Sequence, residues 1–530
     1  MRTTFITLLL CALGLLAARA QQALPTLDDF KTKVATLEGR ITDYPSESGP
    51  TSGLIYLDDV VTNEDYPKAV TIRPDGTFSC RFPLNHPVVN YLSIGDCHIP
   101  FYAEPGGKLA MEFAMGDGGD WESWGGRVRY KGREAQTVQL LADHALPAFG
   151  YREASYGMEN LQPLAMRDYM MQKLRDALAR LDSLRTAVPL TDKAARLMEF
   201  ELRLSAGMVL FDYIRMTVPS FNVKAHAEKV PAAYYDFLRE MPLDAAEALA
   251  TTSYSVFLNR LEYSFLGYNI RKFSVIQEVS IATDGQDCLV VATQDVLADA
   301  EELNRLLGHL RQTDSIFRAD YGIDLPATLT GRILRVHWAS FDNLHEEPLG
   351  RTLYDSLLPP TAERLLRQAL DRKFTAAYHP QSLRPQPLPK GPGADIMRRL
   401  LAPLRGRYVL VDFWGTGCGP CRQGIEQSTE LRQKLKNSSD ITFLYVTGTA
   451  DSPHEPSYND YVAAHMLGYP SARLPQDEYN YLRELFRFNG IPHYVVFDRR
   501  GRLVSGDYNF WNLEQDLQKW LEQEKEEMGK

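Results

Sequence analysis

Positive charge is in deficit along this chain: 58 Lys and Arg stand against 68 Asp and Glu, for a net charge of -10. No basic patch interleaved with aromatics occurs, which argues against nucleic acid as a partner, because its binders need a cationic face to displace counterions. Long apolar runs are scarce as well; the one present is Phe5–Ala18, behind a lone Arg2. It is short for a membrane span and ends in Ala18-Arg19-Ala20 before Gln21-Gln22, the small-residue pattern of a secretory signal peptide (1–20) cut after Ala20. A membrane anchor is the alternative. Cys11 follows Leu8-Leu9-Leu10 rather than a small residue, which argues against lipid modification. The mature chain is therefore expected to be exported, periplasmic or similar, soluble and not membrane-spanning. No repeat of fixed period is visible.

Cysteine is equally sparse, and its placement excludes more. Five cysteines follow the expected cleavage: Cys80, Cys97, Cys288, Cys418 and Cys421. Cys80 and Cys97 lie in a strand-rich region and form either a structural bridge or two free buried thiols. Cys288, in Asp287-Cys288-Leu289-Val290-Val291, reads as a small core residue. A zinc site needs a second ligand pair, and none stands at finger spacing. Asp96-Cys97-His98 is too small a cluster for a metal, so neither metal nor cofactor is expected. His454 falls in a proline-flanked loop, His465 on an amphipathic helix and His493 beside Pro492; each reads as solvated or packed, although His493 is placed to tune a thiolate.

With 530 residues the chain is too long for one core, and two to four domains are expected. From 22 to 132, short β-favouring runs alternate with turn signals, among them Pro74-Asp75-Gly76 and Pro105-Gly106-Gly107, as in a small antiparallel sandwich or barrel. Over 133–378 the period becomes helical, clearest at Leu161–Arg185 and at Asp192–Met216 behind a Leu190-Thr191-Asp192 start. The Pro-rich stretch 379–393 reads as a semi-rigid linker. The last segment, 394–530, has α/β order. Strand Tyr408–Phe413, helix Cys418–Lys436 and strand Ile441–Val446 make a βαβ unit, and a hairpin turns at Arg499-Arg500-Gly501 before a final helix, Leu513–Glu526. The fold class is thus multidomain, with a C-terminal α/β domain behind a β-rich and a helical one.

Within that segment stands Trp414-Gly415-Thr416-Gly417-Cys418-Gly419-Pro420-Cys421, at the end of a buried-looking strand. A CxxC there puts the first thiol at a helix N-terminus, where unpaired N–H groups and the helix dipole stabilise the thiolate that attacks disulfides. Outside the cytoplasm the redox state of such a pair is set by its partners. Asp412, six residues before Cys418 in an apolar strand, is a costly place for a carboxylate.

The segment resembles the thioredoxin fold, and more closely the exported TlpA/ResA-like thiol–disulfide oxidoreductases. The resemblance rests on Val411-Asp412-Phe413-Trp414, Cys418-Gly419-Pro420-Cys421, Gly490-Ile491-Pro492 before a strand, and Asp498-Arg499-Arg500-Gly501-Arg502-Leu503-Val504. The front half resembles, more weakly, the β-rich and helical extensions that precede such domains in Bacteroidetes. The resemblance implies a redox-active disulfide in which Cys418 attacks and Cys421 resolves. It implies that Asp412 is buried beneath the pair and exchanges a proton with the second cysteine, and that Pro492 is a cis-proline letting the Ile491 backbone pair with a client. Trp414 is either a lid over the sulfurs or core. Two departures bear on specificity: Gly417 replaces the common Trp and leaves the rim flatter, and Gly424 stands where cytochrome-maturation members carry a buried Glu. A peroxiredoxin motif is absent, with Val411 and Gly415 at its Pro and Thr positions. Disulfide-containing client proteins and a membrane electron donor are the partners implied. A redox-gated adaptor without turnover is the competing class, and an oxidase or isomerase would differ in potential.

Overall fold

The computed structural model describes residues 25–530 apart from 46, 48, 116–126, 145, 219–228, 268–279, 284–285, 290–298, 342–343, 380–384 and 529–530. The expected signal segment with Cys11, the Cys288 side chain and residues 380–384 lie outside the described residues. Among the described residues no helix is long and apolar enough to cross a membrane. The chain packs into two compact units. One comprises the residues up to Lys33, Leu84–Val88 and Leu146–Leu370; the other comprises Val34–Pro83, Val89–Ala145 and Asp371–Lys530.

The first unit is helical. Its longest members are Pro163–Ala187, Asp192–Thr217 and Asp299–Tyr321. The Leu190-Thr191-Asp192 start signal works as expected, with the Thr191 side chain accepting from the Ala194 N–H. Over 245–265 the chain makes a 3-10 turn, Ala246–Ala250, and then an α-helix, Thr252–Glu262. Thr251 between them is extended, with φ -77 and ψ 150, and its hydroxyl donates back to the Ala248 carbonyl, closing the first turn.

In the second unit the β-rich part supplies, among the described residues, a short two-stranded ladder of Asp58–Asp59 with Glu64–Asp65 and eight longer strands: β1 (Lys33–Ile41), β2 (Ser52–Ile55), β3 (Lys68–Thr71), β4 (Thr77–Leu84), β5 (Val88–Ile94), β6 (Cys97–Ala103), β7 (Lys108–Phe113) and β8 (Val128–Gly132). The longer strands form two four-stranded sheets, ordered β8-β7-β1-β4 and β3-β2-β5-β6. β4 was readable because Phe78, Cys80, Phe82 and Leu84 are buried between more exposed neighbours. The first sheet is not purely antiparallel: β1 pairs parallel with β7, from Thr36↔Lys108 to Ile41↔Phe113. β1 hides from pattern reading because it buries only Ala35, Leu37 and Ile41, and its partner lies far beyond hairpin range. Cys80 and Cys97 are two free, buried thiols, not a bridge. Burial pushes the Cys80 thiol up to about 12.

The C-terminal part is a layered α/β domain. Its five-stranded sheet has the order β11-β10-β9-β12-β13, formed by β9 (Tyr408–Phe413), β10 (Ile441–Gly448), β11 (Ser471–Leu474), β12 (His493–Phe497) and β13 (Leu503–Ser505). β9, β10 and β11 run parallel, while β12 and β13 are antiparallel additions. Helices α1 (Pro392–Leu401) and α5 (Gln476–Phe486) cover one face, over Val409, Val411 and Phe413. On the other face lie α2 (Gly419–Gln427), α3 (Thr429–Leu435), α4 (Glu455–His465) and α6 (Leu513–Met528), over Tyr408, Leu410, Trp414 and Cys421. From Pro385 the proline-rich stretch is not a free spacer. Gln386, which keeps an N–H between two prolines, exchanges two backbone hydrogen bonds with Leu503, and Leu388 is buried in the core.

Helix α5 belongs to both parts of this unit. Tyr479, Leu482 and Phe486 face the α/β core. On its other side Asp477 accepts from the Thr51 N–H and hydroxyl, both at 2.8 Å, and Asn480 donates to Ser52 Oγ at 3.1 Å. Glu484 pairs with Lys68 and accepts from the Ala69 N–H at 3.0 Å. Strands β2 and β3 therefore cover the outward face of a helix whose inward face builds the α/β domain.

Candidate redox site

Strand alternation decides what lies beneath the CxxC. Val409, Val411 and Phe413 point to the α1/α5 side, so Leu410 and Asp412 point to the side of α2. Helix α2 then begins with Cys418 as its N-cap, its sulfur accepting from the Cys421 N–H at 3.1 Å. Pro420 sits in the first turn, where a missing N–H is harmless. Cys418 and Cys421 are joined in a disulfide, with Cα atoms 5.3 Å apart. Cys418 is half-buried while Cys421 is 1% exposed, so one sulfur is open to a partner and the other is not. Helix Cys418–Lys436, read from sequence as continuous, breaks at Ser428, whose hydroxyl donates back to the Gly424 carbonyl at 2.7 Å.

Facing the disulfide, the Ile491–Pro492 peptide is cis and the Ile491 carbonyl oxygen lies 3.6 Å from Cys418 Sγ. Ile491 and Pro492 are partly exposed and Gly417 is exposed. A Cβ on Gly417 would meet nothing within 4 Å, so a side chain there would stand in open space. Trp414, for which the sequence left open a lid over the sulfurs or a place in the core, is fully buried. Its ring stacks on Tyr461 at 5.2 Å and Tyr458 at 5.9 Å, because a large apolar ring gains more from burial between aromatics than from exposure. It supports the site from below and presents no surface to a client. His493 is packed too, stacked on Phe488 at 4.5 Å and bonded to the Gly506 carbonyl, and burial holds its pKa below the usual value. His454 caps α4 through the Ser457 N–H, and His465 stacks on Tyr461.

Asp412 is 4% exposed, and its Oδ1 has no hydrogen-bond partner among the described residues. Burial pushes its pKa up to about 7, opposed by the Arg432 charge. Tyr445 and Tyr494 flank it in register on the neighbouring strands, and burial followed by the Asp412 charge raises the Tyr494 hydroxyl. Arg432 is itself 1% exposed and donates to Tyr445 Oη at 3.0 Å, the His465 carbonyl at 2.9 Å and the Ile425 carbonyl. Sequence reasoning missed Arg432. The signal was present: Cys421, Ile425, Ser428 and Arg432 recur at the three-to-four spacing of one helix face.

The turn before Cys418 is held from behind. Thr416 N–H donates to Ser452 Oγ at 3.0 Å, and a Cβ on Gly415 would fall 2.7 Å from the Asp451 carbonyl oxygen. Gly415→Ala is therefore expected to destabilise the oxidised protein by about 1–3 kcal/mol, because a rigid backbone atom must move. Equal denaturation midpoints for variant and wild type would contradict this close approach.

A thioredoxin-like family model matches residues 406–503. Over 105 residues, 19% of this chain and 17% of the relative, the chain is 30% identical to "Probable nucleoredoxin 1" of Arabidopsis thaliana. Over 95 residues, 18% of this chain and 62% of the relative, it is 24% identical to the thiol-disulfide oxidoreductase YkuV of Bacillus subtilis. In both cases the chain spans less than two thirds of the relative's own length. Among solved structures, the thioredoxin domain of a Bacteroides vulgatus thiol-disulfide oxidoreductase matches at 23% identity and a TM-score of 0.21, covering 23% of this chain and 83% of that one. The chain is thus multidomain, with a β-rich N-terminal region and a helical middle region, and it ends in a thioredoxin-like α/β domain.

Proposed function

We propose that this protein is an exported thiol–disulfide oxidoreductase of the TlpA/ResA-like kind, acting on disulfides of client proteins through Cys418 and Cys421. The observation that carries the reading is the asymmetry of the pair: a partly exposed cysteine at a helix start and a buried one a turn later, with a buried carboxyl on the preceding strand whose pKa is pushed up to about 7. In the reduced enzyme the Cys418 thiolate attacks one client sulfur, forming a mixed disulfide and releasing the other client sulfur as a thiolate, which takes up a proton. Cys421 then gives its proton to Asp412 and attacks Cys418 Sγ, which releases the second client thiolate and forms the Cys418–Cys421 disulfide. Two electrons pass from the pair to the client. An external dithiol, supplied by a membrane electron donor, returns them. Ile491, Pro492 and Gly417 form the docking rim. Met1–Ala20 serves as the export signal, and the segments 22–132, 133–378 and 379–393 act as β-rich, helical and connecting parts ahead of the redox domain at 394–530.

The decisive test is Cys421→Ser incubated in reduced form with oxidised insulin. Attack without resolution leaves a stalled mixed disulfide on Cys418, seen as a band of higher mass that dithiothreitol releases. If no adduct forms, the enzyme reading gives way to a redox-gated adaptor.

A further inference from the structure

One buried guanidinium touches both walls of the redox site and a third segment besides. The Arg483 side chain is 7% exposed. Nη2 donates to Asp451 Oδ2 at 3.1 Å and Oδ1 at 3.3 Å. Nη1 donates to the Asn489 carbonyl at 2.9 Å and to Tyr56 Oη at 3.2 Å. The Tyr479 and Phe488 rings lie against its plane at 5.2 and 5.5 Å. Each partner leads somewhere specific. The Asp451 backbone abuts Gly415, and Ser452 holds the Thr416 N–H, so this arm reaches the turn that carries Cys418. Asn489 precedes Gly490 and Ile491, whose carbonyl oxygen faces Cys418 Sγ, so the second arm reaches the cis-proline turn. Tyr56 follows β2 and is thus supplied by the β-rich segment.

We propose that Arg483 and Tyr56 are positioning residues that set the gap between the Cys418 turn and the Ile491–Pro492 turn, so that the β-rich segment completes the client-docking edge of the redox domain. The proposal rests on the disulfide-exchange reading above. Chemistry favours arginine here: its planar fork reaches a carboxylate, a carbonyl and a phenol at once, which the point charge of lysine cannot do. The anchorage of α5 by Thr51, Ser52 and Lys68 keeps Tyr56 within reach. A client strand that pairs with the Ile491 backbone feels any change in this gap, whereas a small disulfide that reaches Cys418 directly does not.

The test compares full-length wild type with Tyr56→Phe, Arg483→Lys and Arg483→Gln on two substrates, insulin and oxidised glutathione, together with amide hydrogen exchange of the same proteins. Losing a hydrogen bond from a charged donor is expected to raise the insulin KM of Tyr56→Phe about fivefold, while its kcat and its rate on glutathione stay within about twofold of wild type. In Arg483→Gln the KM effect reaches about tenfold or more, and Arg483→Lys does not restore it. Exchange of amides 415–418 and 489–491 rises in step, while β9 stays protected. Arg483→Gln removes the ion pair to Asp451; if it fails to fold, Tyr56→Phe decides. An unchanged insulin KM with unchanged exchange at both turns overturns the proposal, as does an equal loss on both substrates. If wild type turns over neither substrate, the disulfide-exchange reading fails; the exchange data then judge the coupling alone, and unchanged turns overturn it.

Discussion

Cys418→Ser brings disulfide reduction down to the uncatalysed background, a loss on the order of a thousandfold or more. The size follows from the geometry of the pair. A serine hydroxyl is no nucleophile toward sulfur near neutral pH and forms no mixed disulfide, so the covalent intermediate is lost outright. Cys421 cannot take over the attack, because it is 1% exposed and belongs to the buried cluster that holds Ile425 and Trp414. Insulin precipitation in the presence of dithiothreitol measures the rate. A Cys418→Ser protein that retains a tenth of wild-type activity would count against the assignment of Cys418 as the attacking thiol.

Asp412→Asn is expected to act in two opposite directions, stabilising the fold while slowing the chemistry. The folded carboxyl titrates near 7 and the unfolded one near 3.8. Between these values the folded state holds a proton that the unfolded state has released. The stability linked to Asp412 is therefore fully present below about pH 4 and is lost as pH rises through about 7. At about 1.4 kcal/mol per pH unit, the loss at pH 8 has an upper bound of about 4 kcal/mol. An asparagine avoids it but leaves amide groups to satisfy beside an Oδ1 position without a partner, which takes back about 1–3 kcal/mol. The oxidised variant should thus be more stable than wild type by about 2 kcal/mol at pH 8, an advantage that falls with pH and reverses to a deficit of about 2 kcal/mol below pH 4, where only the amide cost remains. Losing the proton acceptor should also slow resolution of the mixed disulfide by about a hundredfold and remove the inflection near neutrality from its pH profile. Urea denaturation at the two pH values and single-turnover kinetics check both halves. A stability difference independent of pH would mean that Asp412 is not the group that titrates.

The parts of the site that could be read from sequence are those whose logic is local. The CxxC after an apolar run, the acid out of place in a strand and the proline before another strand each carry their meaning within a few residues. The structure buries Asp412 on the α2 side of β9 and sets the cis Ile491–Pro492 turn facing Cys418. Trp414 shows the limit of such reading: an aromatic beside a reactive cysteine fits lid and core equally, and only the stacking of Tyr458 and Tyr461 on it settles the matter. Arg432 and Arg483 were overlooked because a buried arginine and a surface arginine are the same letter. What distinguishes them is the convergence of carbonyls, hydroxyls and carboxylates from segments far apart in the chain.

By itself the sequence determined the local pattern: a cysteine pair at a helix start, on a strand–helix–strand scaffold, behind a strand that carries a carboxyl. These follow from strand alternation, helix-end electrostatics and the reactivity of sulfur, all short-range effects. The tertiary structure decided the partnerships: the parallel pairing of β1 with β7, the two faces of α5, and the arginine that joins Tyr56 to both turns around Cys418. Long-range pairing and the burial of charge depend on which distant groups meet to satisfy one another, and that is a property of the folded chain.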